Sequence, residues 1–132
     1  MNTQEEWSDV FSAVMCEEGS RTEQLAAVTP EEPDEAGLHR FGLMFPGRFH
    51  EVRNAQRAVT FCADLSADAV IPVFAAHSSS LLRWLDQIVY DVCRKDLHVI
   101  FAVSRAGIAG GEEEIRRGIF DLSYLNLIPN MT

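Results

Sequence analysis

The chain has 132 residues, 47% of them hydrophobic and 23% charged, with a net charge of −9. A chain of that size is one domain's worth and folds around its own core without needing a disulfide or a metal. No apolar run approaches the ~18 residues of a membrane helix, and the acidic start lacks the basic-then-apolar pattern of an export signal.

A cytoplasmic location is therefore expected. Three widely spaced cysteines, Cys16, Cys62 and Cys93, read as buried thiols rather than as a disulfide framework or a paired-cysteine zinc site.

The first predicted element is a helix. Thr3 and Glu6 have capping-box spacing, and Trp7, Val10, Phe11, Val14 and Met15 recur as one apolar stripe before Gly19. Residues 20–28 suggest a second short helix through Leu25 and Val28. Residues 29–37, with Pro30, Pro33 and Gly37, read as an exposed linker. Residues 1–36 hold ten acids against one base, Arg21, whereas residues 37–132 balance ten acids with ten bases. The expected organisation is an acidic helical segment and linker (1–36) joined to a neutral α/β body (37–132).

The body opens with a predicted strand at residues 38–45, a turn at Pro46-Gly47 and a short surface helix over residues 48–57. Residues 59–65, β-branched and aromatic at their start, read as a strand. Residues 69–76 read as another, placed at a sheet edge because Pro72 lacks the amide of a central ladder. The short link between these two favours an antiparallel hairpin. Ser78 to Ser80 offer capping hydroxyls for a long helix with Leu81, Leu82, Leu85, Ile88, Val89, Val92 and Cys93 on its apolar face. Residues 97–103 then read as a buried strand. Strand, helix and strand together suggest a crossover between parallel strands. A glycine loop at 106–111 leads into a helix opened by Glu112, Glu113 and Glu114. The apolar end offers a self-association patch, a possible homodimer contact, through Ile119, Phe120, Leu122, Tyr124 and Leu125. The sum is a single α/β or α+β domain with a mixed sheet of four or five strands covered by helices.

No motif names a reaction. The glycine loop has neither the Lys-Ser/Thr ending of a phosphate loop nor dinucleotide-fold spacing, so no cofactor is expected. No histidine has a second ligand at helix or strand spacing, so no metal is expected. Two readings compete with a structural, oligomer-forming role.

The leading one is a non-catalytic acidic adaptor, chaperone or inhibitor. It would engage a basic protein through Glu5, Glu6, Asp9, Glu17, Glu18, Glu31, Glu32, Asp34 and Glu35, in its extreme form mimicking nucleic acid. Direct binding to nucleic acid or to an anionic membrane is disfavoured by the same charge. The alternative is a small α/β enzyme or anion-binding domain. If the strands run parallel, Asp64, His77, Ser104 and Arg105 gather at their carboxyl ends.

Overall fold

The structure is a computed structural model that describes residues 3–106 and 121–132, without the side chains of residues 3–6, 81, 82 and 121. Its centre is a four-stranded sheet in the order β2-β1-β3-β4. The strands are β1 (Leu25–Thr29), β2 (Phe49–Glu51), β3 (Ile71–His77) and β4 (Ile100–Ser104), and every neighbouring pair is parallel. The expected α/β sheet is present, and it is parallel throughout.

Helices cover both faces. On one side α1 (Thr3–Arg21) and α2 (His39–Met44) pack Met15, Cys16, Leu38 and Phe41 against Leu25, Ala27, Val73 and Ala75. On the other, α3 (Ala55–Ala67) and a composite helical segment bury Ala58, Val59, Cys62, Trp84, Ile88 and Val92 against Val28, Phe74 and Ala76. That segment is 3-10 helical over Ser78–Arg83, has one α turn, α4 (Leu85–Gln87), and is π-helical over Ile88–Cys93. A last short helix, α5 (Asp121–Leu125), is followed by the buried Ile128.

Several sequence expectations are corrected. Residues 20–28 are not a helix but lead into β1, an inner strand whose five residues are all buried. Both of its faces are covered, so its apolar residues run on without the alternation that marks a half-exposed strand. Residues 38–45 form α2 rather than a strand. Residues 48–57 divide between β2 and the start of α3.

Residues 59–65 are helical, not a strand. Asn54 Oδ1 accepts the Arg57 amide at 3.0 Å as an N-cap, and the buried Ala58, Val59, Cys62 and Ala63 have the spacing of one helix face. No hairpin therefore joins residues 59–65 to β3. Pro72 lies in a central strand, not at an edge. The Ile71 amide bonds Gln24 O, so position 72 faces the β4 side, and β4 pairing begins only at Val73. The missing proline amide falls outside the ladder. The buried strand expected at residues 97–103 is instead the half-exposed edge strand β4.

The carboxyl end of α1 is fastened by Arg48. Its Nη2 donates to Gly19 O at 2.9 Å, and its Nη1 donates to Thr22 O at 2.9 Å, shared with Glu23 O and Leu25 O at 3.2 Å. A guanidinium there satisfies last-turn carbonyls and faces the negative end of the helix dipole. It also lies 4.1 Å from the centre of the Phe45 ring. Gly19 is required by the same contact, because a Cβ there would sit 2.8 Å from both the Phe41 and Phe45 rings.

Arg48→Met should lower stability by about 2–3 kcal/mol, because several charge-assisted bonds are lost at once. Arg48→Lys should restore little of it, since an ammonium cannot reproduce the fork. Urea denaturation monitored by circular dichroism checks both.

Burial pushes the Cys62 thiol up to about 12 from its ordinary 9.0. Because the folded-state pKa is the higher one, stability is complete below pH 9 and declines as pH rises towards 12. Urea midpoints measured between pH 8 and pH 11 should fall with pH, and Cys62→Ala should flatten that slope even though it lowers the midpoint at neutral pH.

Candidate functional site

All four strands point the same way, so their carboxyl ends share one edge. The strand order reverses direction between β1 and β3, which is where parallel sheets open a crevice for ligands. Thr29 ends β1 there. Fully buried, it donates its hydroxyl to Ala75 O at 2.8 Å and accepts the Glu31 amide at 3.0 Å. That pair of bonds ties the start of the acidic loop to β3.

His77 ends β3, with its side chain only 9% exposed. Its Nδ1 is 3.0 Å from Ser104 Oγ at the end of β4, and Ser104 Oγ donates to Ala76 O at 3.5 Å. Its Nε2 is 3.5 Å from Glu35 Oε2 and 4.0 Å from Glu31 Oε2, while its amide donates to Glu31 Oε1 at 3.4 Å. An imidazole, two carboxylates and a hydroxyl therefore converge at the switch point.

Of the four residues expected to meet, His77 and Ser104 are joined, and Arg105 follows Ser104 directly, with φ of +54°. A non-glycine residue in that region is uncommon and is held there by its surroundings. Asp64 is elsewhere. It sits in the last turns of α3, which lead to the amino end of β3, and six strand residues at ~3.3 Å each separate that end from His77. The glycine loop falls mostly on residues 107–111, outside the described residues. So do Ile119 and Phe120 of the expected dimer patch, whose Leu122 is exposed.

Several acids of the leading segment are held within the fold. Glu31 and Glu35 face His77, Glu17 and Glu18 pair with Arg21, and Glu32 pairs with Arg53, which also holds Glu51. The Arg53 guanidinium, through its hydrogen bond, holds the Glu32 carboxyl below the usual carboxylate range.

A second concave feature starts at the carboxyl end of β2 and runs between α3 and the composite helix. This groove has a volume of about 520 Å³. Its lining includes Val52, Asn54, Gln56, Phe61, Asp64 and Gln87, with Arg57, Thr60 and Asp91 completing it. Thr60 Oγ1 donates to Asp91 Oδ2 at 2.8 Å, and the Gln56 amide donates to Arg83 O at 3.1 Å. Gln87 Oε1 is buried with no partner among the described residues. His50 packs edge-on against Phe61 at 4.9 Å, and burial lowers its pKa. The sequence signal for this groove was present in Asn54, a helix cap, and was hidden by reading residues 59–65 as a strand.

Comparison with known proteins shows the family of the chain. The family profile described as the transketolase pyrimidine binding domain matches residues 3–132. The chain is 42% identical over 127 residues to a 1-deoxy-D-xylulose-5-phosphate synthase of Clostridium botulinum and 44% identical over 126 residues to that of Natranaerobius thermophilus. The matches cover 96% and 95% of this chain and 20% of each relative, so the chain spans about a fifth of their length. Among solved structures, a split-gene transketolase described as an inactive β4 tetramer superposes with a TM-score of 0.81 at 21% identity. The superposition covers 92% of this chain and 40% of that one. These matches overturn the expectation of an acidic adaptor, chaperone, inhibitor or nucleic-acid mimic. Part of the acidic segment is built into the fold, with Glu17 and Glu18 on Arg21 and Glu32 on Arg53.

Proposed function

The chain belongs to the transketolase pyrimidine-binding domain family, and on that footing we propose that it is the pyrimidine-holding part of a thiamine diphosphate-dependent enzyme completed by further domains or chains. The observation that carries this reading is the groove beside α3, where the side-chain amides of Asn54, Gln56 and Gln87 line the same space as the Phe61 ring.

The residues present fit a pyrimidine. Val52 and Phe61 offer apolar surface to a flat ring, and the amides of Asn54, Gln56 and Gln87 offer donors and acceptors to its edge. They do not fit a diphosphate, since Asp64 and Asp91 line the same groove and, among the described residues, Arg57 is the one cation lining it. The diphosphate end is therefore assigned to another part of the assembly. When bound, thiamine diphosphate supplies a thiazolium that stabilises a carbanion. The role of this chain's residues is to hold the pyrimidine, orient it and keep water from one side of it.

Assembly is favoured by the outer face of α1. Trp7, Val10 and Val14 are 75%, 53% and 48% exposed there, an apolar surface of the kind that further protein covers. A solved chain of this fold comes from a split-gene transketolase, which supports a bipartite arrangement. Among the described residues no helix is long and apolar enough to cross a membrane, and three free cysteines suit a reducing compartment such as the cytoplasm.

The test is nuclear magnetic resonance of the 132-residue chain titrated with 4-amino-2-methylpyrimidine and, separately, with pyrophosphate. The pyrimidine should shift the side-chain amide signals of Asn54, Gln56 and Gln87 with millimolar affinity, and Gln87→Leu should weaken that at least fivefold. Pyrophosphate should leave those signals unmoved. Shifts confined to other residues, or an unaltered affinity in Gln87→Leu, would overturn the assignment.

A further inference from the structure

We propose that His77, Glu31 and Glu35 form a binding site for a divalent transition metal such as zinc. This site is separate from the pyrimidine groove and does not depend on it. One atom from each residue, His77 Nε2 and a carboxylate oxygen from each glutamate, lies within 4.8 Å of the other two.

The imidazole is prepared as a ligand. Ser104 Oγ holds His77 Nδ1 at 3.0 Å, which leaves Nε2 as the ring atom able to offer a lone pair to a metal, and Nε2 is the atom that faces the carboxylates. Metal-bound histidines are held in this way, with the second ring nitrogen donating to a fixed acceptor. Glu31 is held too, by the Thr29 hydroxyl on its amide and by its own Oε1 accepting the His77 amide. The ring is nine-tenths buried, so these groups meet where water screens them poorly.

The spacing favours an ion over a proton. A charge-assisted N–H···O bond spans about 2.7–2.9 Å. The separations here are 3.5 and 4.0 Å. Ligand bonds of about 2.0–2.1 Å in a tetrahedral arrangement place neighbouring donors roughly 3.3 Å apart, so a small closure suffices. Charge agrees with distance. Arg53 is taken by Glu32 and Glu51, and among the described residues His77 is the only ion-pair partner of Glu31 and of Glu35. Two carboxylates beside an imidazole nitrogen offer a dication three donors and the two negative charges that neutralise it. One imidazole and two carboxylates, with no thiolate, suit zinc and leave a fourth position for water.

The experiment uses the intact chain, stripped with a chelator and titrated with zinc at pH 7.5 against a chromophoric competitor. One zinc should bind per chain, and melting should rise by about 5 °C or more at a hundredfold excess over Kd. X-ray absorption should show nitrogen and oxygen ligands, one imidazole and no sulfur. Glu35→Gln, at a half-exposed position that tolerates change, should weaken binding at least tenfold, as should His77→Gln, and Ser104→Ala should weaken it by about tenfold. Gln87→Leu should leave it unchanged, which separates this site from the groove. Absence of binding, a sulfur-containing shell, or unaltered affinity in Glu35→Gln would overturn the proposal.

Discussion

The parallel seam between β1 and β3 is the constraint on which the rest of the molecule depends. Its registered pairs run from Leu25 with Ile71 to Val28 with Phe74, and Thr29 then closes it by bonding across to Ala75 O. A parallel pair cannot be joined by a tight turn, so the chain between these strands must cross the faces of the sheet. It crosses them with α2 and β2 and then α3, which builds both helical layers. It also brings the residues after Thr29 beside the end of β3. Glu31 and Glu35 meet His77 because of that seam, although more than 40 residues separate them in the chain.

Charge illustrates how composition can mislead. Residues 1–36 do carry the whole net charge, and a segment so acidic reads as an interaction arm when nothing is known of its neighbours. Yet the segment contains an inner strand, and several of its acids face cations or an imidazole: Arg21 within α1, Arg53 beyond β2, His77 at the end of β3. Pairs this exposed add little stability individually. Their consequence is electrostatic. Glu31, Glu32, Glu35 and Glu51 lie by the sheet's carboxyl edge with Arg53 as the cation that pairs with two of them, an arrangement that favours cations there and disfavours phosphate.

The α/β class, the helix from Thr3, the strand ending at His77, the buried cysteines and the meeting of His77 with Ser104 were all legible in the residues. Each rests on local patterning or on the rule that parallel strands share a ligand-bearing edge. What was missed has a physical pattern. β1 is five residues, two of them alanine, buried on both faces, so it lacks the period-two signature of a strand. α3 was masked by Val59, Thr60 and Phe61, whose β-preference is overridden by packing against the sheet and by the Asn54 cap. Arg48 looked like one more surface charge, because its acceptors are backbone carbonyls that sequence spacing does not reveal. Glu31 and Glu35 were seen as charge and not as ligands, since their partner lies across the seam. The family itself was not read from any motif.

The composite helix after β3 shows why the groove exists at all. A regular α-helix would carry its apolar face forward with unbroken three-to-four spacing. Here the π-helical stretch widens the turn, with the Arg94 amide reaching Val89 O and the Leu97 amide reaching Val92 O. Such widenings recur at functional sites, because they shift the facing of a few residues without ending the helix. Trp84, Ile88, Val92 and Cys93 stay on the core, while Gln87 and Asp91 line the groove and Asp91 accepts from Thr60. The groove is thus bounded by an α-helix on one side and a distorted helix on the other. The groove is therefore open on the side away from these two helices, and the chain that forms it spans about a fifth of its relatives' length.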